Sequence, residues 1–159
     1  MKKLTPTLIL SLLFLIVGCS TDIESLQLRR GDTYYKINSE TPFSGSVIRK
    51  WSSGEKYEAG SLRNGKKEGI WNTWYENKQK EFELTYKNGV EDGLFTYYYQ
   101  NGQKKSKANY KNGLIIDGLY NRWYENGQME EEGTFKDGKQ DGLYTIWWEN
   151  GQKKQEKTY

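Results

Sequence analysis

No histidine occurs anywhere in the 159 residues, which removes the commonest general base and metal ligand from the chemistry open to this chain. A single cysteine remains, Cys19. Carboxylates recur at one kind of place: Glu68, Asp92, Asp117 and Asp141 each precede a glycine. Clustered carboxylates would suggest calcium. Each of these stands alone in its stretch of chain, however, and the turn spacing sets them opposite Ser61, Thr85, Asn109 and Thr134, where a cross-strand hydrogen bond is the better expectation. No metal site, catalytic residue or cofactor is expected. What does recur is aromatic: Trp74, Tyr98, Trp123 and Trp147 stand at equivalent positions of a chain with 13 Tyr and 6 Trp. Rings in such a row pack against their neighbours, form hot spots for a protein partner, or stack on sugars. These are binding chemistries.

The elements that position the row are repeats. Gly118-Leu-Tyr-Asn-Arg-Trp-Tyr-Glu-Asn-Gly-Gln leads to Phe135-Lys-Asp-Gly and restarts at Gly142-Leu-Tyr. Gly45, Gly69, Gly93, Gly118 and Gly142 open successive units, a period of 24 residues with one step of 25. Self-similarity at fixed period marks a repeat architecture and shifts attention from a pocket to an extended surface. Each unit reads as strand, turn, return strand, turn. Two-residue Asn-Gly loops of type I′ would fix the register. The expectation is an all-β, elongated, twisted antiparallel meander of nine or ten strands.

That register pairs Tyr75 with Lys80, Thr73 with Phe82 and Trp71 with Leu84. Between units it pairs Leu84 with Gly93, Gly60 with Gly69 and Gly133 with Gly142. The extra residue after Gly113 is taken up by a three-residue loop, Asn112-Gly113-Leu114, which sets Ala108 opposite Gly118. A small-residue site then recurs at each junction, where a neighbouring ring would lie across the backbone. Alternation of side chains puts Trp71, Tyr75, Phe95, Tyr99, Tyr120, Tyr124, Tyr144 and Trp148 on a core face with Phe82, Leu84, Tyr86, Tyr110, Phe135 and Tyr159. The other face carries Trp74, Tyr98, Trp123 and Trp147, the aliphatic Ile70, Leu94, Leu119 and Leu143, and charged return strands: Glu81 and Glu83, Lys105 and Lys107, Glu130 and Glu132, Lys154 and Glu156. This second face is the candidate binding face.

The ends differ from the repeats. Lys2 and Lys3 precede an almost wholly apolar run, Leu4 to Val17, too short to span a bilayer and laid out as a secretory signal. Its end, Ile16-Val17-Gly18-Cys19, resembles the lipobox of bacterial lipoproteins. The resemblance implies cleavage before Cys19, a diacylglycerol on its sulfur and an acylated (for example palmitoylated) amine. An ordinary signal peptide, or a membrane segment with an incidental Cys, is the alternative. Residues 1–18 are thus read as a lipoprotein signal peptide, 19–30 as the lipidated Cys and a short tether, 31–44 as an N-terminal capping strand (Thr33 to Ile37, before Pro42), and 45–159 as the repeat domain. Acyl chains anchor through about 0.8 kcal/mol per buried methylene. Ser20 stands where an inner-membrane retention Asp would be, so sorting to the outer membrane is implied if the host has two membranes. Otherwise the outer face of the cell membrane is expected. Without Lys2 and Lys3 the balance is 22 basic to 21 acidic residues, so nucleic acid is not implied as a partner. Lysines on the last strand, Gln152 to Tyr159, suit an edge protected from pairing.

The units over residues 43–159, with their recurring turn glycines, resemble the MORN repeat variant (MORN_2) family. The second unit departs by placing Lys78 where the turn Gly belongs, at a cost of about 1 kcal/mol for positive φ. Bacterial proteins of this family include YwqK-like antitoxins and repeat lipoproteins. The resemblance implies protein binding and supplies no catalytic residues. The expected function is a membrane-anchored, non-catalytic lipoprotein that serves as a protein-interaction scaffold, antitoxin- or immunity-like, with a toxin or envelope protein as partner. The alternative is a cell-wall glycan or peptidoglycan-binding repeat module.

Overall fold

The fold is taken from a computed structural model and is described for residues 20–29, 31–115 and 118–159. Residues 1–18, for which the sequence suggests a signal peptide, lie outside the described residues, as do Cys19 and Asp117. Chain order begins with β1 (Thr21–Asp22), a 3-10 turn (Ile23–Ser25), β2 (Leu26–Arg29), β3 (Thr33–Lys36), β4 (Gly45–Lys50), β5 (Lys56–Arg63), β6 (Lys66–Trp74) and β7 (Lys80–Lys87). It continues with β8 (Val90–Tyr98), β9 (Lys104–Lys111), β10 (Leu114–Ile115), β11 (Gly118–Trp123), β12 (Met129–Lys136), β13 (Lys139–Trp147) and β14 (Lys153–Thr158). Among the described residues there is no α-helix. From β4 to β14 successive strands pair antiparallel in one 12-stranded sheet, with β1 added parallel to β4 and β10 paired to β9. The meander read from the sequence is the fold, and β14 forms one end of it with every residue exposed.

The turns fall into two classes. Between units, Asn64-Gly65, Asn88-Gly89, Asn112-Gly113 and Asp137-Gly138 hold both residues at positive φ, the type I′ geometry that suits strand twist. Within units only one residue is left-handed: Gly54, Lys78, Gly102, Gly127 or Gly151. There the amide of Lys78 donates to the Tyr75 carbonyl at 3.0 Å and that of Tyr75 to the Gln79 carbonyl at 2.9 Å, a type I turn closed by a bulge. The expected two-residue loop is therefore corrected within units, and Trp74, not Tyr75, faces Lys80. Thr73–Phe82 and Trp71–Leu84 pair as expected.

The bulge leaves one extra residue per return strand, Glu81, Lys105, Glu130 or Lys154, and re-aims it. The sequence pattern puts these four on the outer face. Instead Glu81 accepts from Thr73 at 3.0 Å and Glu130 takes both arms of Arg122 at 2.6 and 2.7 Å. Lys105 lies over the rings of Tyr97 and Tyr99, and Lys154 over Trp148. All four have moved to the core face.

A second, wider break sits at each unit opening. Leu84 pairs with Phe95 and Tyr86 with Glu91, so Asp92, Gly93 and Leu94 together oppose Thr85. The opening glycines take positive φ, for example 138° at Gly93 and 126° at Gly118, where a Cβ on Gly93 would come within 2.8 Å of Thr85. The expected pairings of Leu84 with Gly93, Gly60 with Gly69 and Gly133 with Gly142 are thus displaced by two residues. Gly133 faces Tyr144. Ala108 no longer faces Gly118, because β9 meets β11 through Lys107–Asn121 and Ser106–Arg122. Nor does Leu114 join the loop: it pairs with Lys111, which leaves Asn112-Gly113 as a two-residue turn.

This displacement puts a ring over each small residue. A Cβ on Gly60 would lie 2.3 Å from the Trp71 ring and one on Gly133 2.5 Å from Tyr144. Rings then meet edge to face in each of the four units from Gly69 onward: Trp71–Tyr86 at 6.2 Å, Phe95–Tyr110 at 5.8 Å, Tyr120–Phe135 at 6.0 Å and Tyr144–Tyr159 at 6.3 Å. Such pairs add about 0.5–1.5 kcal/mol beyond area burial.

The cluster of buried hydrophobic residues sits at one end. Ile23, Leu26, Phe43, Val47, Leu62 and Trp71 form the core cluster. Residues Thr21–Arg29, for which the sequence suggests only a tether, help to build it through β1, the 3-10 turn and β2. The β2–β3 hairpin docks on the Asn64-Gly65 turn, with the Tyr34 amide donating to the Gly65 carbonyl at 2.8 Å. Buried Glu58 takes Lys67 at 2.7 Å and Arg49 at 3.4 Å, and Lys67 also lies 4.1 Å from the Trp71 ring centroid. Farther along the core face is only half covered, and Trp148 and Tyr159 are each 50% exposed.

Gly60→Ala should lower stability by about 1–3 kcal/mol in urea unfolding through overpacking against Trp71. Gly54→Ala, with φ of 88° and nothing within 4 Å of its Cβ, should lose only about 1 kcal/mol from backbone strain. Lys78→Gly should raise stability by about 0.5 kcal/mol, since relief of positive φ outweighs one exposed ion pair.

Candidate functional site

The candidate face is built by three rows that run across the strands. Its centre is continuous through paired residues: Asn72–Glu83, Glu83–Thr96, Thr96–Lys107, Lys107–Asn121, Asn121–Glu132, Glu132–Thr145 and Thr145–Glu156. Thr96 and Thr145 are buried at the bottom of this polar floor. Along one side stand Ile70, Leu94, Leu119 and Leu143, all exposed, from 39% at Leu94 to 57% at Ile70. Along the other stand Trp74, Tyr98, Trp123 and Trp147, each half-buried. The two rails are four residues apart along each strand, about 13 Å, and successive members of a rail are two strands apart, about 9.6 Å.

The structure therefore brings the four predicted aromatic residues into one row, less exposed than a bare stacking platform would be. Their main chains are tied to the preceding unit. The Tyr75 hydroxyl donates to the Tyr98 carbonyl at 2.8 Å, Tyr99 to Trp123 at 2.8 Å, Tyr124 to Trp147 at 2.9 Å, and the Trp51 indole to Trp74 at 3.2 Å. A second ladder holds the turns. Asn77, Asn101 and Asn126 accept from the amide two residues on and donate through Nδ2 to Gln100, Glu125 and Glu149 of the next turn. The sequence reading treats these Asn only as turn formers. Their recurrence two residues before Gln79, Gln103 and Gln128 is the available clue to stacking.

A hollow on this face, about 390 Å³, lies between the last two units, where Leu119, Leu143 and Trp147 wall a floor that includes Glu132 and Thr145. The carboxylates before the unit glycines have individual partners: Glu68 accepts from the Asn88 amide at 2.9 Å, and Asp92 pairs with Lys111 at 2.9 Å. At Asp141 the backbone carbonyl, rather than the carboxylate, accepts from Thr134. Among the described residues no group of three or more metal-binding side chains occurs, and no helix is long and apolar enough to cross a membrane.

The profile of the MORN repeat variant matches the chain at residues 67–88, 91–112, 116–137 and 140–159, together more than half of its length. Each match spans one hairpin unit, and the unit formed by β4 and β5 shares the architecture outside the matched stretches. No curated protein matches the chain.

The ring-bearing face sets an alkaline limit on the fold. Burial, followed by the charges of Glu91 and Glu58, pushes the Tyr86 phenol up from 10.0 to about 12. Burial and then Glu131 do the same for Tyr144, also to about 12. Burial likewise raises Tyr75, Tyr99 and Tyr110. A phenol whose folded value is raised favours the folded state at every pH below its unfolded value, and that contribution disappears as pH rises through the folded value. The melting temperature should thus be insensitive to these phenols below pH 10 and fall steeply between pH 10 and 12. Tryptophan fluorescence melts across that range check it, and Tyr86→Phe should blunt the fall.

Proposed function

This chain belongs to the MORN repeat variant family, and on that footing we propose that it is a non-catalytic lipoprotein, held at the cell envelope by acyl chains on Cys19, that grips a protein partner with its outer face. In a host with two membranes the anchor sits in the outer membrane, and in a host with one, on the outer face of the cell membrane. The observation that carries the reading is the pair of rails. Soluble surfaces rarely keep aliphatic side chains in a regular exposed file, yet Ile70, Leu94, Leu119 and Leu143 form one beside Trp74, Tyr98, Trp123 and Trp147. Trp and Tyr in a partly desolvated row are favoured anchors for a protein surface. A YwqK-like antitoxin or immunity role, with a toxin or envelope protein as the partner, is the specific form of this reading.

Glycan binding is the competing reading of the same row. The half-buried rings, with Lys56 lying over Trp74 at 5.7 Å, favour a protein partner, because sugar stacking uses an open ring face.

Crosslinked envelopes carrying a tagged chain should yield one recurrent partner, and Trp123→Ala with Trp147→Ala should reduce its recovery by about tenfold or more. No recurrent partner, together with sedimentation of the pure protein on sacculi that the same double variant abolishes, would overturn the protein-binding reading in favour of glycan. Cys19→Ser should release the protein from the membrane fraction, and unchanged retention would refute the anchor.

A further inference from the structure

The floor of the outer face carries a charge pattern with a gap in its middle. At equivalent positions of four return strands stand Lys80 and Glu83, Lys104 and Lys107, Met129 and Glu132, Lys153 and Glu156. In the first and last of these the floor carboxylate is neutralised from within its own strand: Lys80 meets Glu83 at 2.7 Å, and Lys153 meets Glu156. In the two central units the device is broken. Lys104 stands beside Lys107 and doubles its charge, while Met129 leaves Glu132 without a cation. Neither Lys107 nor Glu132 has a salt-bridge partner among the described residues, and both are half-buried on the floor.

These two residues share one row through Asn121, Lys107–Asn121–Glu132, their backbones two strands or about 9.6 Å apart, and no salt bridge joins them. They are flanked by Leu94, Leu119 and Leu143 on one side and by Tyr98, Trp123 and Trp147 on the other. A partly desolvated charge without a counterion costs stability unless something supplies it.

Resting on the reading of this face as a protein-binding surface, we propose that the central floor receives an extended peptide segment of the partner that bears one acidic and one basic side chain three residues apart. The acidic group meets Lys104 and Lys107, and the basic group enters the hollow at Glu132 beneath Trp147. The spacing selects the conformation. A polyproline-II segment returns to the same side every three residues, about 9.3 Å, close to the two-strand step of the floor. A β-strand shows the same side every second residue, about 6.7 Å, and falls out of step. The intervening prolines rest on the rails, as proline-rich segments do in aromatic-lined grooves.

The test uses the chain without its signal segment and four synthetic peptides: one with Asp-Pro-Pro-Lys at its centre, one with Lys-Pro-Pro-Asp, one with Gln-Pro-Pro-Gln, and one with the charges two residues apart. Binding is followed by indole amide shifts in NMR titrations. One of the two charged orders should bind about tenfold more tightly than the neutral and the misspaced peptides. Lys107→Gln or Glu132→Gln should remove that advantage, and Lys107→Glu with Glu132→Lys should transfer it to the opposite order. Equal binding of charged and neutral peptides, or no binding of any, overturns the inference. If the captured envelope partner is still lost on Trp123→Ala with Trp147→Ala but tolerates the charge exchange, the charge-pair inference falls while the face as a protein-binding surface stands. If that partner tolerates both sets of changes, both readings fall.

Discussion

A ring laid across a small residue of the neighbouring strand is the contact on which this architecture depends. The paired row Val47–Gly60, Trp71–Leu84, Leu84–Phe95, Phe95–Ala108, Tyr120–Gly133 and Gly133–Tyr144 sets bulky side chains beside Gly60, Ala108 and Gly133, with Leu84 as the one larger spacer. A single-layer sheet has no second layer to bury its apolar face, so it must cover itself. Flat rings over Gly60 and Gly133 do this, each touching the next aromatic edge to face. Where the β2–β3 hairpin and the 3-10 turn add a lid, burial becomes complete and Trp71 is 1% exposed. Stability is therefore graded along the molecule, highest at the capped end and lowest toward β14.

Polar ladders supply what the thin core does not. Each unit reaches into the next through a phenol or indole donor to a main-chain carbonyl, and through an Asn amide to the following turn. The phenol and indole bonds lock the orientation of the aromatic rail on the opposite face, because the carbonyls they grip belong to Trp74, Tyr98, Trp123 and Trp147. The one irregular turn shows how closely neighbouring turns fit. In the regular stack Gln79, Gln103 and Gln128 lie against Gly102, Gly127 and Gly151. In the first pair Glu55 takes the place of Gln, Lys78 takes that of Gly, and the two form an ion pair at 2.9 Å. The departure at Lys78 is thus one half of a paired change.

Much of this was legible in the residues. The period, the strand pairs, the unit boundaries and the two rails follow from glycine spacing and alternation. The misplacements have one cause, the bulge. A residue inserted into one strand rotates its neighbours without altering composition, so Glu81, Lys105, Glu130 and Lys154 read as outer-face charges although they serve the core face. In the same way Gly93 and Gly142 read as partners of Leu84 and Gly133, whereas they sit at positive φ beside Thr85 and Thr134. Burial of Ile23 and Leu26 escaped notice because a short segment without periodicity carries no mark of what it will pack against.

By itself the sequence determined that this is a chain of hairpins of one family, aromatic on both faces, with no histidine and a single cysteine. Those properties are local: they need only turn chemistry, spacing and residue type, and each repeats until it is unmistakable. The tertiary structure alone decided which turn class each Asn-Gly adopts, which rings lie over which backbone, and which floor charges have no salt-bridge partner among the described residues. These outcomes depend on register between strands, and a shift of one or two residues at a bulge exchanges every neighbour while leaving the pattern of letters unchanged.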